Sequence, residues 1–168
     1  MNIDTYFMGI ALEQAQKALS AGDFPVGCVI TDGESVLATG FRKGSAGAHP
    51  NELDHAEIIA LRQLTGIEIT LKNKQLSIYC TMEPCLMCFG AIILAGIRKI
   101  VYAYEDVMGG GTKCRLGTLP KLYKESQIAI VDNVMRHESL TLFKKFFSKP
   151  ESHYWEDSLL ADYTLAQE

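Results

Sequence analysis

The sequence of 168 residues contains no apolar run near the roughly 18 residues that a membrane-spanning helix needs. Its first 22 residues also lack the basic segment and apolar core of a secretory signal, and their spacing predicts an amphipathic helix instead. These two absences argue against a membrane protein and against a secreted one. We therefore expect a cytoplasmic chain with no membrane partner.

An excess of positive charge is missing as well. Lysine and arginine together number 16 against 20 aspartate and glutamate residues, which gives a formal net charge of −4. A protein that binds long nucleic acids usually presents a basic surface, so this balance argues against a broad interface of that kind. A small local basic patch stays compatible with these numbers.

The sequence also lacks the even, regular set of cysteines that marks a disulfide-rich secreted domain. It has five cysteines at irregular spacing, and in a reducing compartment we expect no disulfides. Cys28 and Cys80 lie in apolar runs and are expected to be buried packing residues, whereas Cys114 in a glycine-bearing loop has no assigned role. Cys85 and Cys88 form a C-x-x-C pair, which suits a redox pair, a structural metal clip or a catalytic metal site.

Apolar periodicity predicts five strands and five helices that largely alternate. The strands are predicted at FPVGCVIT, SVLATG, LSIYCT, KIVYAY and QIAIVD, and two of the helices at HAEIIALRQLTG and PCLMCFGAIILAG. This order predicts an α/β fold with three α-β-α layers, in which helices cover both faces of a five-stranded sheet. The sheet is expected to be mixed because its first two strands form an antiparallel hairpin. A final helix is predicted over HYWEDSLLADYTLAQ. Its Tyr154 and Trp155 could cover a functional site or pack on a partner subunit, and we favour packing.

The residues that suggest chemistry lie at two predicted helix starts. Pro84 suits the first turn of a helix, and Cys85 and Cys88 then share one face near the positive end of the helix dipole, which favours thiolates. Two thiolates bind a soft cation such as zinc, and a catalytic zinc takes three protein ligands and keeps one position for water. His55, which opens an earlier helix with Glu57 two residues later, is the candidate third ligand.

The remaining histidines and the neighbouring acid receive less specific interpretations. His49, His137 and His153 are expected at the surface. Asp54 could orient His55 or cap the helix that follows it, and we favour the cap. A thioredoxin-like redox pair would leave the HAE motif without a purpose. A structural zinc clip would need a fourth ligand, for which Cys114 and His49 remain the candidates.

The pattern H-x-E followed by P-C-x-x-C is typical of zinc-dependent deaminases that act on nucleobases, and this sequence carries it as HAE and PCLMC. The chain resembles the cytidine/deoxycytidylate deaminase superfamily, most closely its branch of tRNA-specific adenosine deaminases and bacterial guanine deaminases. The resemblance covers residues 6–147 and rests on FPVGCVI, DHAEIIAL, LSIYCTMEPCLMCFGAIILAGIRKIVYA and FKKFF. It implies a single zinc deaminase domain over residues 1–150, with residues 151–168 as a helical extension packed on it.

The resemblance also implies a metal, a reaction and a partner. It implies that His55, Cys85 and Cys88 hold one Zn²⁺ per chain and that Glu57 carries a proton between water and substrate. The implied reaction is hydrolytic deamination, in which an exocyclic amine of a nucleobase becomes a carbonyl and ammonia is released. Members of the superfamily are usually homodimers, so a homodimer is expected here.

Further residues match substrate-binding positions of the resembling proteins. Ala56 is implied to offer its backbone N–H to the base, and Val26 to pack against the ring. Asp106 matches an acidic position in the loop after the fourth strand. Phe146 and Phe147 match an aromatic pair at the substrate wall, where Phe147 is the candidate contact, although both could equally be core residues.

The sequence departs from the resembling proteins at positions that bear on the substrate. Relatives carry an asparagine in a G-x-N pattern after the second strand, where this chain has Gly40-Phe41-Arg42. Arg42 could pair with a phosphate or carboxylate of the substrate, or it could be a solvated loop residue. Residues 148–168 hold five acids and one lysine, a balance that repels a phosphate backbone.

These departures favour a small substrate, namely a free base, a nucleoside or a nucleotide. The alternative is a tRNA-specific adenosine deaminase that forms inosine in the anticodon loop. A third possibility of another class is a non-catalytic zinc-binding subunit with this fold. Such a subunit would have no need of Glu57, which the sequence retains.

Overall fold

The computed structural model describes residues 2–65 and 75–168 of the chain, and within them six helices surround a five-stranded sheet. The helices are α1 Ile3–Ser20, α2 Ala56–Leu64, α3 Leu86–Leu94, α4 Lys121–Lys124, α5 Arg136–Phe147 and α6 Leu159–Ala166. The strands are β1 Gly27–Thr31, β2 Val36–Phe41, β3 Ser77–Met82, β4 Lys99–Tyr104 and β5 Ala129–Val131.

The sheet is mixed and has the strand order β2-β1-β3-β4-β5. β1 is antiparallel to β2 and to β3, whereas β3, β4 and β5 are parallel. Successive side chains of a strand point to opposite faces: Val29 and Tyr79 join a buried cluster with α1, and Ile30 and Ile78 join a second one with α2 and α3. Helices therefore cover both faces, which confirms the predicted three-layer α/β fold.

The start of α2 lies directly against β2 at Gly40. A Cβ atom on Gly40 would lie 2.0 Å from the backbone carbonyl oxygen of Ala56, so this close approach requires a glycine. His55 and Glu57 flank Ala56 in the chain. The same contact therefore sets the position of both side chains relative to the sheet.

The start of α3 differs from the prediction by two residues. The helix begins at Leu86, with Cys85 as an extended N-cap, rather than at Pro84. The reason is a pairing with the loop after β4: Cys85 forms an isolated bridge with Gly110, and the carbonyl of Pro84 accepts a 2.8 Å hydrogen bond from the N–H of Gly111. An extended backbone makes these contacts, and a helical one does not.

The last helix is shorter than predicted. α6 begins at Leu159 because Ser158 caps it, accepting a 3.1 Å hydrogen bond from the N–H of Ala161. Trp155 and Asp157 have positive φ angles of 57° and 56°. Since residues of a right-handed helix have negative φ, the segment before Ser158 forms turns instead.

α6 packs against α5 and the end of β4. Leu160 is buried, the Thr164 and Tyr104 hydroxyls lie 3.0 Å apart, and the Tyr163 hydroxyl donates a 2.6 Å hydrogen bond to Glu105.

The predicted domain boundary at residue 150 stays a prediction. The helix predicted over HAEIIALRQLTG would reach Gly66, which lies outside the described residues. None of the helices within 2–65 and 75–168 is both long and apolar enough to cross a bilayer.

Candidate active site and metal centre

Three potential metal ligands meet where α2 and α3 begin. His55 is the N-cap of α2, Cys85 is the N-cap of α3, and Cys88 follows in the first turn of α3. The Nδ1 atom of His55 lies 3.5 Å from the Sγ atom of each cysteine, and the three ligand atoms lie within 4.8 Å of one another. The three side chains are therefore positioned to bind one metal ion.

The chemistry of these donors suits zinc at a catalytic site. Zinc accepts imidazole nitrogen and cysteine sulfur, and a catalytic zinc has three protein ligands where a structural zinc has four. Among the described residues the group has three members. Cys114 and His49, the candidates for a fourth ligand, are both exposed and lie outside the group.

The electrostatics of the site favour a thiolate at Cys85. Hydrogen bonds with Cys88 and with His55 lower the pKa of Cys85 to about 4, while its burial acts in the opposite direction. The hydrogen bond with Cys85 raises the pKa of His55. The N-termini of α2 and α3 add the positive ends of two helix dipoles. Cys85 is thus held in the charged form that a metal requires.

Glu57, in the first turn of α2, is buried with 3% of its surface exposed. Its Oε2 is the one buried side-chain oxygen or nitrogen without a hydrogen-bond partner in the described part of the chain. Burial raises the pKa of Glu57. A buried carboxylate oxygen without a partner is costly, and Glu57 keeps this oxygen at the wall of the same cavity as His55 and Cys85.

A cavity of about 410 Å³ opens beside this group. The volume is within the range of small-molecule sites. Its lining residues are Phe24, Val26, Arg42, Glu52, His55, Ala56, Glu57, Met82, Glu83, Cys85, Asp106, Met108, Gly109, Tyr154, Trp155 and Leu160. Four of the five predicted substrate-contacting residues are therefore at the cavity wall, namely Val26, Arg42, Ala56 and Asp106.

Phe147, the fifth predicted contact, is not among the residues that line this cavity. Its ring lies 5.9 Å from that of Phe24 and 5.5 Å from that of Phe146. Phe146 is 1% exposed and packs edge-on against Phe24. The two phenylalanines thus pack beside the wall residue Phe24 without lining the cavity themselves, and Phe146 is buried in the core whereas Phe147 is half-buried.

Residues 1–104 match the family described as the cytidine and deoxycytidylate deaminase zinc-binding region. The chain belongs to this family. Its members are deaminases, hydrolases that act on carbon–nitrogen bonds, and their zinc region agrees with the His-Cys-Cys group. The predicted enzyme class and zinc cofactor are thereby confirmed.

Among similar curated proteins, a tRNA-specific adenosine deaminase of Buchnera aphidicola subsp. Schizaphis graminum is 32% identical over 154 residues, which cover 87% of this chain and 95% of that protein. The tRNA-specific adenosine deaminase of Bacillus subtilis is 28% identical over 151 residues, covering 88% and 90%. These alignments extend past the matched family region into the part of the chain that follows β4.

Similar solved structures include one from a study of A-to-I editing by tRNA:A34 deaminases at the wobble position. It is 28% identical, has a TM-score of 0.67, and covers 82% of this chain and 99% of its own. The guanine deaminase of Nitrosomonas europaea has a TM-score of 0.66 at 20% identity and covers 84% and 83%. At that identity the likeness concerns the fold alone.

In this deaminase-family chain, Arg42 is buried in the cavity wall with 2% of its side chain exposed. Its NH1 group donates to the backbone carbonyls of Lys43 at 2.8 Å and Asp54 at 3.1 Å. Its NH2 group lies 3.4 Å from the Tyr154 hydroxyl and 3.6 Å from Glu52 Oε2. Of the two interpretations that the sequence left open, the solvated loop arginine is therefore wrong.

Asp54 does not cap α2, contrary to the prediction. Its carboxylate accepts a 2.7 Å hydrogen bond from the side chain of Asn51 and pairs at 3.1 Å with Arg62. The N-cap position belongs to His55, which makes no side-chain capping bond. The ring of His55 is directed to the cysteines instead.

The sequence leaves the roles of several cavity-wall residues open or unassigned. Tyr154, Trp155 and Leu160 line the cavity, which agrees with the less favoured of the two roles that the sequence leaves open for Tyr154 and Trp155. Glu83 directly precedes Pro84, and the sequence alone assigns it no function of its own. No local pattern marks these side chains as neighbours, because the chain brings them together over more than 70 residues.

Glu83 fastens the loop after β4 to the cavity. Its carboxylate accepts hydrogen bonds from the backbone N–H and the hydroxyl of Thr112 and, at 3.2 Å, from the N–H of Asp106. Asp106 in turn accepts from the N–H groups of Met108 at 2.9 Å and Gly109 at 2.8 Å. Burial raises the pKa of Asp106. These bonds hold an acidic group at the cavity wall.

Proposed function

We propose that this chain is a zinc-dependent hydrolase that replaces an exocyclic amine of a nucleobase by a carbonyl oxygen. In this proposal His55, Cys85 and Cys88 hold the zinc and Glu57 carries the proton. The observation that carries it is the unpartnered Oε2 of buried Glu57, at the wall of a cavity that His55 and Cys85 also line.

The atoms balance with one water molecule and no redox partner. The base loses its amine as ammonia and gains the oxygen of water, so that the ring segment N=C–NH₂ and H₂O become HN–C=O and NH₃. Bound zinc supplies Lewis acidity, which lowers the pKa of a water molecule from 15.7 to around 7. Glu57 Oε2 carries two protons of the water in turn, the first to the ring nitrogen and the second to the departing amine.

The remaining wall residues receive positioning functions in this proposal. The backbone N–H of Ala56, at the first position of α2, donates to an acceptor of the base. Val26 packs against the ring, and the carboxylate of Asp106 receives a donor of the substrate. The helix start supplies such an N–H because the first N–H groups of a helix have no partner within it.

Two substrate classes are candidates, and different observations favour them. The names of relatives at 28–32% identity support adenosine in tRNA better than they support a small substrate. The geometry supports a free base, nucleoside or nucleotide. Tyr154, Trp155 and Leu160, all near the C-terminal end of the described residues, form part of the cavity wall. The net charge of −4 also offers little attraction to a phosphate backbone. On geometry we place the small substrate first and tRNA adenosine second.

The candidate substrates indicate the cellular location that we propose. Nucleobases, nucleosides and tRNA are present in the cytoplasm, where we place the protein. We also propose that the protein is a homodimer, which is the oligomeric state expected for this family.

The deciding experiment is an ammonia-release panel on the zinc-loaded protein. It includes guanine, adenine and cytosine, their nucleosides and nucleotides, and an anticodon stem-loop RNA with adenosine at the wobble position. Release from one of the small compounds, abolished by a zinc chelator and restored by zinc, is the expected result. Release from the RNA alone would replace the first candidate by the second. Release from none of them would refute deamination.

A further inference from the structure

Trp155, the one tryptophan in the sequence, lines the cavity and keeps 44% of its surface exposed. Large aromatic side chains are usually buried more completely than this. The indole therefore offers a free apolar face at the site where the proposed function requires a flat, aromatic substrate.

The backbone at Trp155 is held in a conformation that bulky residues avoid. Its φ angle of 57° is in the left-handed region, and Asp157 two residues later has 56°. A non-glycine residue in this region is uncommon, and for a bulky one it is an outlier. Such conformations persist where surrounding contacts impose them, and they cluster at ligand-binding sites. The strain at Trp155 therefore indicates a position that serves the cavity.

Tyr154 is the residue that fastens this turn to the rest of the wall. Its hydroxyl donates a 2.8 Å hydrogen bond to Glu52 Oε2, and Arg42 NH2 lies 3.4 Å from the same hydroxyl. Its ring lies 5.3 Å from the ring of Phe24 and 5.6 Å from the ring of Trp155. The turn is thus tied to two other segments of the cavity wall.

We propose that Trp155 stacks on the nucleobase and that the contacts of Tyr154 with Glu52 and Arg42 hold this stacking wall over the cavity. Stacking on an aromatic side chain suits every base, since each has a π face. Stacking alone also suits a base within RNA, so the selection comes from the turn that Tyr154 ties to Glu52 and Arg42 at the cavity. A wall fixed in this way suits a single base that enters from solution, which narrows the substrate class to a free base or nucleoside. This inference rests on the proposed function.

Trp155 itself provides a direct test, because all tryptophan fluorescence of the protein comes from it. The zinc-loaded Glu57→Gln variant is titrated with guanosine, adenosine and cytidine and with their bases. The expected result is a saturable change in tryptophan emission with at least one of these compounds. The anticodon stem-loop RNA is expected to change the emission only at concentrations at least tenfold higher.

Steady-state kinetics with the substrate from the ammonia panel give the second measurement. Trp155→Ala is expected to raise KM about tenfold, with kcat changed much less. The factor corresponds to the lower part of the energy range for base–aromatic stacking. Trp155→Phe, which keeps an aromatic face, is expected to restore most of the loss. Tyr154→Phe removes the hydroxyl that binds Glu52 and is expected to raise KM by a smaller factor. Leu159→Ala, at an exposed position of the same segment that does not line the cavity, is expected to match the wild type.

The outcomes separate this inference from the proposed function. Ammonia release from a small compound with no emission change and an unaltered KM for Trp155→Ala would overturn the stacking wall alone. An emission change without ammonia release would support the wall and overturn deamination. Tighter binding of the stem-loop RNA than of every small compound would overturn the selection of a single free base.

Discussion

The imidazole of His55 lies 3.5 Å from the sulfur of Cys85, and each of these residues is the N-cap of its own helix. The metal-ligand group is therefore assembled from two helix starts that follow different strands. Its geometry depends on how closely each helix start approaches the sheet and the loop after β4.

Removal of a thiolate ligand is expected to remove the zinc. Cys85→Ser replaces a soft sulfur donor by a hydroxyl that binds zinc poorly. The wild type is expected to hold about one zinc per chain and the variant a small fraction of that, by elemental analysis after dialysis. Cys114→Ser, at an exposed cysteine outside the group, is the matched control with full zinc content. A Cys85→Ser protein with undiminished zinc would contradict the assignment.

Removal of the carboxylate of Glu57 is expected to stop turnover without loss of the metal. Glu57→Gln preserves the size of the side chain but cannot carry a proton, so kcat should fall by about 10²–10⁴. Zinc content should stay at the wild-type level. Glu34→Gln, at an exposed position, should retain full activity. If Glu57→Gln turns over as fast as the wild type, Glu57 is not the proton carrier.

The glycine at the end of β2 is expected to be required for the site. A Cβ atom at Gly40 would lie 2.0 Å from the Ala56 carbonyl oxygen, so Gly40→Ala must push the start of α2 from the sheet. We expect a loss of ~2 kcal/mol in the free energy of unfolding and weaker zinc binding, because His55 moves with the helix. Gly9→Ala, where a Cβ meets nothing within 4 Å inside α1, should instead stabilise the protein by ~0.5–1 kcal/mol. Equal stability of the two variants would show that α2 moves without cost.

The ion pair of Glu105 with Arg136 is expected to make the free energy of unfolding depend on pH in the acidic range. Partial burial opposes the charged carboxylate, but hydrogen bonds from Arg136 and Tyr163 outweigh it and lower the pKa of Glu105 to about 2. Because the folded pKa is below the unfolded value near 4.3, the contribution is complete above that value. It is lost as the pH falls from about 4.3 through about 2.

Glu105→Gln should therefore cost ~2 kcal/mol of unfolding free energy at pH 7, allowing for partial exposure, and much less near pH 2. Urea unfolding at the two pH values measures the difference. Glu125→Gln removes the exposed ion pair in which the Glu125 carboxylate lies 3.8 Å from Lys121 Nζ. This variant should lose only ~0.3 kcal/mol of unfolding free energy. A Glu105→Gln loss that does not shrink in acid would mean that packing of Tyr163, rather than charge, is responsible.

Much of the fold was predictable because its signals are local. The apolar runs that became β1, β3 and β4 are buried along their length, and the hairpin β1–β2 predicted the antiparallel part of the sheet. The ligands were predictable for the same reason. His55 with Glu57, and Cys85 with Cys88, are short motifs at helix starts, where zinc chemistry requires specific residue types.

The substrate wall was not predictable in this way. The Tyr154 hydroxyl and Glu52 are joined across 102 positions of the chain, and no periodicity links them. The turn that directs Trp155 depends on left-handed backbone angles, which apolar spacing does not reveal, so the spacing predicted a helix there. Arg42 was ambiguous because the same polar loop sequence suits both a solvated and a buried side chain.

The sequence by itself therefore determined the deaminase family, the zinc ligands as candidates and the layered fold, since each follows from residue types at short spacing. The tertiary structure alone decided that Arg42 is buried, that Phe147 does not line the cavity and that Tyr154, Trp155 and Leu160 do. These features come from contacts between distant segments, whose free energy is decided by packing and not by the order of neighbouring residues.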